Sequence, residues 1–503
     1  MTIAPAIAGQ HSQPSTRRVL RKIFSFPTAI SLMLMLLALL TVRGRFDDPD
    51  MWWQLKNGQV IWTTHSIPTV DQYSFTALHH AIVPEEWFPE LIIYGAYHFG
   101  GYSGMMVWLC CFASLLLIAG YVLCTAYSGN AKIGFVGAMV VWFFATVGLS
   151  IRGQLIGYLL LIVELLLLHM GRNRNPRWFL ALPLLMLLWV NCHGSFFFGL
   201  IVIGVYFLCS FFNFRAGGLV CFGEARQKWM LLWALVLSSA AVFINPVGWS
   251  QVVYPLDTML RQPVNLASVQ EWQPLTLSDP RGAGLMVLLA AVLVIFLVRR
   301  TEVLHLEELL LLAVGSWLAL SHQRLAFVFG ILAAPVISRL LAPMWDRYEP
   351  DKDRIAPNAA LFVLAVLVAI FAFPRQASLE KKVYENSPVR AVDYIQAHHL
   401  SGNMLNAYGE GGYLIWAMPQ HPVFIDGRAD LYEWAGVLAQ FGQWATLQAD
   451  PNTLLNKYNI AFCLLERDSA MAHVMPLLKG WTQVYSDQQS VIFVRSKQSP
   501  GPV

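Results

Sequence analysis

The chain reads IFSFPTAISLMLMLLALLTV over residues 23–42, and RGRFDDPDMWWQ follows directly over residues 43–54. The first run carries no charged residue and has the length of about 20 residues that a helix needs to cross a bilayer. The second run places three aspartates beside two tryptophans, and tryptophan is enriched where a protein meets the membrane interface. This stretch predicts a transmembrane helix that ends in a cluster of carboxylates at the membrane surface.

Further apolar segments continue as far as residue 373. They cover residues 102–127, 133–151, 155–170, 178–189, 196–212, 229–244, 282–298, 306–320, 325–341 and 359–373. The composition agrees, because 56% hydrophobic and 13% charged residues are far too apolar for a soluble chain of this length. The sequence therefore predicts a polytopic α-helical membrane domain of about 11 transmembrane helices over residues 23–373.

Charge and cysteine content exclude two other classes of protein. The net charge is only +4, and the basic residues stand beside apolar segments, so nucleic acid is not expected as a partner. Neither a disulfide framework nor the usual spacing of zinc ligands is expected, since most cysteines lie in apolar runs and only Cys463 lies in the polar tail.

The distribution of basic residues predicts the orientation in the membrane. Residues 1–22 form a polar lead that ends in four basic residues, and we expect this lead to be cytoplasmic. A cleaved signal peptide is the alternative, but no small-residue cleavage site follows. Alternate loops then carry the remaining basic clusters to the same side: Arg172, Arg174, Arg177, Arg215, Arg226, Lys228, Arg299, Arg300, Arg347, Lys352 and Arg354. An odd number of crossings then places residues 374–503 on the periplasmic or extracellular side. We therefore expect an inner-membrane protein with an outer domain at residues 374–503.

The first outer loop, residues 43–101, is too long to be a simple connector and carries candidate catalytic acids. Asp48 and Asp50 are suited to deprotonate an acceptor or to hold a divalent metal such as Mg²⁺ or Mn²⁺. The alternative is a helix N-cap followed by an aromatic interface belt. Glu86 in the same loop and Glu271 in a later outer loop are further candidate catalytic acids.

The other predicted outer ends carry Arg152, His193, His322 and Arg324 in very short turns. A guanidinium can bind phosphate oxygens through two parallel hydrogen bonds, so these four residues are candidates for binding the phosphate of a lipid-linked donor. The alternatives are arginines that snorkel at helix ends and histidines with a purely structural role.

The polar tail alternates helical and extended patterns and predicts a soluble α/β domain. We expect helices at residues 388–398, 434–446 and 452–458, and strands at residues 404–407, 422–425, 461–465 and 490–494. Its most distinctive runs are NAYGEGGYLIW (406–416) and FIDGRADLY (424–432). Glycines there allow a ligand to approach the backbone closely. The candidate acceptor-binding residues are Tyr408, Glu410, Tyr413, Asp426, Arg428 and Asp430.

This layout resembles the GT-C superfamily of polytopic glycosyltransferases, which includes oligosaccharyltransferases and protein O-mannosyltransferases. Asp48 and Asp50 stand where that family keeps an acid in a long first outer loop. The helix at residue 388, Tyr408-Gly409 and Asp426 follow the order of the oligosaccharyltransferase soluble domain, although Asn406, Ala407 and Glu410 replace its motif tryptophans and acid. The chain is also similar, around residues 48–53 and 426–428, to bacterial membrane proteins of unknown activity.

The resemblance implies a polyprenyl-phosphate-linked sugar as donor and a glycan, lipid or protein as acceptor, in contact with membrane lipids. We therefore expect a membrane glycosyltransferase whose first-loop aspartate activates the acceptor while the arginines hold the donor phosphate. A polysaccharide or lipid export component is one alternative, and it would need ionisable residues within the bilayer, of which Glu164 is the clearest. A non-catalytic membrane scaffold is the other.

Overall fold

The computed structural model describes residues 16–299 and 303–496, so that residues 1–15, Arg300 and residues 497–503 of the predictions above lie outside the described part. The chain up to residue 373 is mainly helical. Its helices are α1 (Thr16–Ile23), α2 (Phe26–Val42), α3 (Asp50–Thr64), α4 (Trp87–Ser128), α5 (Ala131–Ala145), α6 (Gln154–Asn173), α7 (Leu182–Val190), α8 (Phe196–Cys209), α9 (Ala225–Ala241), α10 (Trp249–Arg261), α11 (Pro263–Ser268), α12 (Pro280–Val298), α13 (Leu306–Ser321), α14 (Ala326–Leu341) and α15 (Ile355–Ala372).

Every apolar segment predicted to cross the membrane overlaps one of these helices. Within the described residues, five helical segments are long and apolar enough to cross a membrane: Trp87–Ser128, Gln154–Asn173, Pro280–Val298, Gln323–Met344 and Ile355–Ala372. Shorter apolar helical segments are Phe26–Val42, Ala131–Ala145, Pro176–Val190 and Phe196–Cys209. The polytopic helical architecture is confirmed, whereas the number of eleven crossings stays a prediction.

Helix α4 is bent at a glycine. Its 42 residues would extend over about 63 Å as a straight helix, roughly twice the thickness of a hydrocarbon core. Gly101 interrupts the helix with φ 55° and ψ −145°, a conformation that side-chain-bearing residues rarely adopt. The bend separates the first turns, which belong to the predicted outer loop and contact α3 at Gly58, from the long apolar part of the helix. Helix α4 as a whole packs against α2, α3, α5 and α6.

The centre of the bundle is α14, nearly all of whose residues from Ala326 to Leu340 are buried. Close packing depends on small residues here. A Cβ atom on Gly330 would lie 2.6 Å from Phe144 Cβ, so only glycine allows α5 to approach α14 at this point. This packing fixes the two helix ends that carry Arg152 and Arg324.

A small three-stranded sheet lies beside the C-terminal ends of α6 and α8. Strands β1 (Asn213–Ala216) and β2 (Leu219–Phe222) form an antiparallel hairpin, and β3 (Leu304–His305) pairs in parallel with β2. Helix α13 begins directly after β3. The hairpin is thereby joined to the start of α13.

The C-terminal segment, residues 374–496, contains a mixed sheet in the order β4-β5-β7-β6. Strand β4 (Asn403–Asn406) is parallel to β5 (Ile460–Glu466), and β7 (Ser490–Arg495) is antiparallel to β5 and to β6 (Trp481–Ser486). The surrounding helices are α16 (Gln376–Asn386), α17 (Val389–Ala397), α18 (Gly411–Ala417), α19 (Ala429–Trp434), α20 (Leu438–Ala445), α21 (Pro451–Lys457) and α22 (Ala470–Val474). Both helices and strands are present in this segment, and its boundaries as a domain stay a prediction.

Several details of the segment differ from the sequence analysis, and helices α16, α18 and α22 were not predicted. The expected strand at residues 422–425 is wrong, because Val423 forms only an isolated bridge with Ser74 of the first outer loop and Asn406 side-chain atoms bond the backbone of Phe424 and Ile425. The expected helix at 434–446 is divided between α19 and α20, since Gly436 has φ 69°. Strand β6 was not predicted.

Candidate active site at the mouth of the helical bundle

Two carboxylates are held side by side at the start of α3. The Asp50 backbone N–H donates to Asp48 Oδ1 at 3.0 Å, a short-range turn that Pro49 favours by fixing its own φ. Trp53, one turn further along α3, donates its indole N–H to Asp50 Oδ1 at 3.1 Å. Local sequence therefore fixes the relative orientation of both acids.

Arg152, in the loop between α5 and α6, lies between these carboxylates. Its Nε is 2.5 Å from Asp48 Oδ2, and its Nη2 is 2.9 Å from Asp50 Oδ2. The side chain of Arg152 is only 14% exposed. Because little water reaches its guanidinium, the two aspartates supply most of the stabilisation of its charge. Burial raises the pKa of Asp50 to about 6, against the opposing effect of the Arg152 guanidinium. Asp50 is consequently ionised at neutral pH and can accept a proton.

A second arginine, Arg324, lies next to this group and is less constrained. Its Nη1 is 3.5 Å from Glu271 Oε2, and its Nη2 donates to Gln154 Oε1 at 3.1 Å. The guanidinium also lies 5.2 Å from the ring centre of Trp272. Glu271 contacts both arginines, at 3.6 Å from Arg152 Nη1, but its side chain is 45% exposed and such a contact is weak. Arg324 therefore has hydrogen-bonding capacity left for an anionic ligand.

His322 contacts both the backbone and the ring of Trp272. Its Nδ1 lies 2.7 Å from the Trp272 carbonyl oxygen, which only accepts, so Nδ1 carries the proton. The two residues pack edge to face. His322 thus orients Trp272, the residue on which Arg324 lies.

Glu86 and His193 form a buried pair behind the arginines. The Ser195 backbone N–H donates to His193 Nδ1 at 2.9 Å, which leaves the proton on Nε2, 3.3 Å from Glu86 Oε1. Burial lowers the pKa of His193 to about 3 and raises that of Glu86 to about 7. The pair is a neutral imidazole donating to a carboxyl group that titrates near neutral pH. Gln54 donates to the other oxygen of Glu86.

The C-terminal segment approaches Asp50 closely at Gly427. Gly427 lies so close to Asp50 that a Cβ atom there would be 3.0 Å from Asp50 Cγ and would overlap Oδ1. The Tyr408 hydroxyl donates to the Gly427 carbonyl at 3.1 Å, and Asp430 accepts from Tyr254 at 3.0 Å. The glycine at position 427 is therefore a requirement of this close approach.

Asp426 and Arg428 on either side of that glycine are buried in an ion pair. Arg428 donates from Nε to Asp426 Oδ1 at 2.8 Å and from Nη2 to Oδ2 at 2.7 Å, while its Nη1 lies 2.7 Å from Asp71 of the first outer loop. The Tyr432 hydroxyl donates to Asp426 as well. These groups join the loop to the C-terminal segment.

A cavity of about 330 Å³ opens on the other side of Asp48, between the first outer loop and the C-terminal segment. Five acidic residues line it: Asp47, Asp48, Glu385, Glu410 and Glu466. Trp52 and Tyr413 add aromatic surface. Glu410 is 8% exposed and accepts from the Ser490 hydroxyl through Oε1, whereas Oε2 has no partner among the described residues. Burial raises the pKa of Glu410 to about 8.

No family model and no curated protein matches the sequence. Solved structures do match. ArnT from Cupriavidus metallidurans bound to undecaprenyl phosphate aligns with TM-score 0.52 and 13% identity over 95% of this chain and 98% of that one. Its apo form aligns with TM-score 0.53 and 14% identity over 97% and 100%. The oligosaccharyltransferase AglB from Archaeoglobus fulgidus, in complex with an inhibitory peptide and a dolichol-phosphate, aligns with TM-score 0.51 and 13% identity over 94% and 74%. The chain shares its overall fold with these structures. At this level of identity the likeness establishes the fold and nothing further.

Within this fold, most of the sequence-derived site residues come together. Asp48, Asp50, Arg152, Glu271 and Arg324 form one connected group of charges. The Glu86–His193 pair and His322 lie beside it, while Glu410 and Tyr413 line the acidic cavity.

Sequence reasoning missed the roles of Gln54 and Asp71. Gln54 lies four residues after Asp50, so helical spacing could have placed it on the same face of α3. Asp71 stands in an irregular loop and carries no comparable signal. Its partner Arg428 is more than 350 residues away, and only the folded chain joins them.

The predicted metal ligands do not fit a divalent ion as they stand. Arg152 fills the space between Asp48 and Asp50 and uses the oxygens that an ion would need. Among the described residues, the one group of three side chains that could hold a metal lies elsewhere, at Cys209, Cys221 and Glu307.

Proposed function

We propose that this chain is a membrane glycosyltransferase that moves a sugar from a polyprenyl-phosphate-linked donor to an acceptor on the outer, periplasmic face. The observation that carries the proposal is the pair Asp48 and Asp50, held by Arg152 beside the freer Arg324, at the mouth of a GT-C fold. Such a transfer needs a base that accepts the proton of the acceptor and positive groups that bind the phosphate of the donor. The structural neighbours bound to undecaprenyl phosphate and dolichol-phosphate support the choice of donor.

Arg324 is the proposed main ligand of the donor phosphate. Its partners are one exposed glutamate at 3.5 Å and one amide, which a phosphate can displace at little cost. Arg152 adds positive charge without leaving the aspartates. His193, which the sequence analysis placed among the phosphate-binding residues, has its Nε2–H directed to Glu86 and is assigned an indirect role at the same end of the bundle. His322 contributes by orienting Trp272 beneath Arg324.

Asp50, supported by Asp48, is the proposed base. The acceptor hydroxyl attacks the anomeric carbon as the bond from that carbon to the phosphate oxygen breaks, and the hydroxyl proton passes to the carboxylate. Arg324 stabilises the negative charge that collects on the departing polyprenyl phosphate. Glu86 and Glu271 assist from either side, Glu86 by holding His193 and Glu271 by spacing the two arginines.

We assign no Mg²⁺ or Mn²⁺ to Asp48 and Asp50, because the Arg152 guanidinium already supplies the positive charge between them. We expect transfer to persist after treatment with a chelator. Loss of transfer that Mg²⁺ or Mn²⁺ restores would show that Arg152 gives way to an ion.

The acidic cavity beside Asp48 is the proposed acceptor site. Among the lining residues that the structure describes none is basic, so an anionic group would be repelled there and a neutral or cationic acceptor rich in hydroxyls suits it. Glu410 lies in the wall of this site, where its buried Oε2 has no hydrogen-bond partner among the described residues, and Tyr413 offers an aromatic face. Tyr408 and Asp430 contribute next to Gly427. Asp426 and Arg428 act by holding the Gly427 turn in place, since their own groups are occupied.

The location follows from the same assignment. The site lies at the Gln154 end of α6, and the basic residues Arg172 and Arg174 lie at the other end. The proposed topology therefore keeps the N-terminus and those arginines cytoplasmic and residues 374–503 periplasmic.

The test is donor binding by the purified protein in nanodiscs, using a mixture of polyprenyl-phosphate sugars. We expect wild type to retain a lipid-linked sugar, Arg324→Ala to lose it, and Asp50→Ala to bind but not turn over. Arg261→Ala is the matched control, because that arginine is 70% exposed in a surface pair with Asp257. If wild type retains no donor, or if Arg324→Ala binds as well as Arg261→Ala, the proposal is wrong.

A further inference from the structure

A second cluster of chemically reactive side chains lies at the end of the bundle opposite the aspartates. Cys209 is the last residue of α8, Cys221 lies in β2, and Glu307 lies in the first turn of α13. The two sulfur atoms and one carboxylate oxygen are within 4.8 Å of one another, and all three residues are buried. They come from three separate elements, so their meeting is a product of the tertiary fold.

The space between them has the size of a single small ion or water. The cavity at this point measures about 20 Å³ and is lined by Cys209, Cys221, Glu307 and Arg172 among others. A site of roughly 10–15 Å³ already accommodates one water molecule. In a tetrahedral zinc site, bonds of about 2.3 Å to sulfur and about 2.0 Å to oxygen bring ligand atoms to within roughly 4 Å of each other. Small side-chain adjustments would satisfy that geometry.

One carboxylate oxygen in the cluster lacks a partner. Glu307 is 2% exposed, and its Oε1 pairs with Arg172, whereas Oε2 makes no hydrogen bond to any described residue. Cys221 Sγ donates to the Cys209 carbonyl at 3.1 Å, so the thiols do not satisfy that oxygen. A buried carboxylate oxygen without a hydrogen bond costs free energy, and a bound cation would remove the cost.

The charges also suit a divalent ion. Arg172 already balances Glu307, and each bound thiol loses its proton, so two thiolates balance one M²⁺ and the cluster stays neutral. A buried site that stays neutral avoids the desolvation cost of an isolated charge. Two thiolates further favour a soft or borderline metal such as zinc over magnesium.

We propose that Cys209, Cys221 and Glu307 bind one transition-metal ion, of which Zn²⁺ fits best. Cys209 Sγ, Cys221 Sγ and Glu307 Oε2 are the ligands, with water in the fourth position. Binding releases the two thiol protons to solvent and involves no change of oxidation state. The ion would clamp the β1–β2 hairpin to the ends of α8 and α13. Because this end is predicted to be cytoplasmic, reduced thiols available for a metal are expected there. The inference does not depend on the proposed glycosyl transfer.

The test is Co²⁺ and Zn²⁺ binding by the full-length purified protein under reducing conditions. We expect about one metal per chain, with the thiolate-to-cobalt charge-transfer absorption and the intense visible bands of a tetrahedral site. Removing even an outer partner of a metal site costs about 10–100-fold in affinity, so Cys209→Ser, Cys221→Ser and Glu307→Gln should each weaken binding by at least about 100-fold.

Matched controls are Cys111→Ser, at an exposed position, and Cys463→Ser, at a buried one in the C-terminal segment. Both should bind cobalt like wild type. If a ligand variant fails to fold, the wild-type spectrum and slower alkylation of Cys209 and Cys221 in the presence of Zn²⁺ still decide the matter. Wild type without thiolate bands, a Cys209→Ser/Cys221→Ser variant that keeps its metal, or a Cys209–Cys221 disulfide in freshly isolated protein would overturn the inference.

Discussion

We predict that one added methyl group at position 427 lowers turnover but leaves donor binding nearly unchanged. Gly427 does not have a positive φ, so alanine suits its backbone, but the added Cβ would be 3.0 Å from Asp50 Cγ and would overlap Oδ1. Relief of that overlap requires Asp50 or the turn to move by about 1 Å, and a misplacement of this size can cost about 10²-fold in rate. We therefore expect Gly427→Ala to lower turnover about 10²-fold while donor binding at Arg324 stays within about twofold.

The assay follows polyprenyl phosphate released from polyprenyl-phosphate sugars in proteoliposomes that contain an envelope extract as acceptor. Gly442→Ala in α20 is the matched control in the same segment, since nothing lies within 4 Å of a Cβ atom there. Both variants should remain folded at the temperature of the assay. Equal turnover of Gly427→Ala and Gly442→Ala would refute the argument that Gly427 positions Asp50.

Three further predictions concern pH and buried charge. Turnover should rise about tenfold per pH unit below pH 6 and level off above it, because Asp50 has a pKa of about 6 and must be ionised to act as a base. The pKa of Glu410 is raised to about 8, so its contribution to stability is present below the unfolded value and is lost as the pH rises towards 8. Glu410→Gln should flatten this decline, seen as thermal unfolding between pH 5 and 8. Asp71→Asn should lower the free energy of unfolding of the C-terminal segment by roughly 3 kcal/mol, because it leaves the buried charge of Arg428 with one partner fewer.

Each of these three predictions can be contradicted by one result. A turnover that is flat from about pH 5 to 7 would rule out Asp50 as the base whose ionisation limits the reaction. A Glu410→Gln variant with the wild-type slope would mean that another acid causes the pH dependence. Asp468→Asn, at an exposed position, is the control for Asp71→Asn, and equal unfolding curves would show that the Asp71–Arg428 pair adds no stability.

The helical architecture could be predicted from the sequence, because apolar runs long enough to cross a membrane rarely form anything other than membrane helices. It also drew attention to acids and arginines that the structure brings together, since charged residues next to such runs need a reason to be there. Their roles stay a prediction. It could not pair Asp48 with Arg152, because the two lie more than 100 residues apart and short polar turns look alike in sequence.

The errors in the C-terminal segment have a common cause in tertiary contacts. Residues 422–425 have a strand pattern, but the backbone of Val423 bonds to Tyr73 and Phe75 of the first outer loop rather than to a strand of the sheet. The strand β6 has an exposed face and a register shift near Gln483, so its alternation is weak. The close approach of Gly427 to Asp50 depends on two regions joined only in the folded chain.

Sugar transfer from a polyprenyl-phosphate donor can be tested directly by analysing the products of the reaction. Purified wild type and Asp50→Asn are incubated with polyprenyl-phosphate sugars and an envelope extract, and both products are quantified by mass spectrometry. We expect wild type to form a glycosylated acceptor with an equal amount of polyprenyl phosphate, and Asp50→Asn, which keeps the size of the side chain but not its charge, to form neither. A wild-type protein that binds the donor yet forms no product, or an Asp50→Asn variant as active as wild type, would contradict the account.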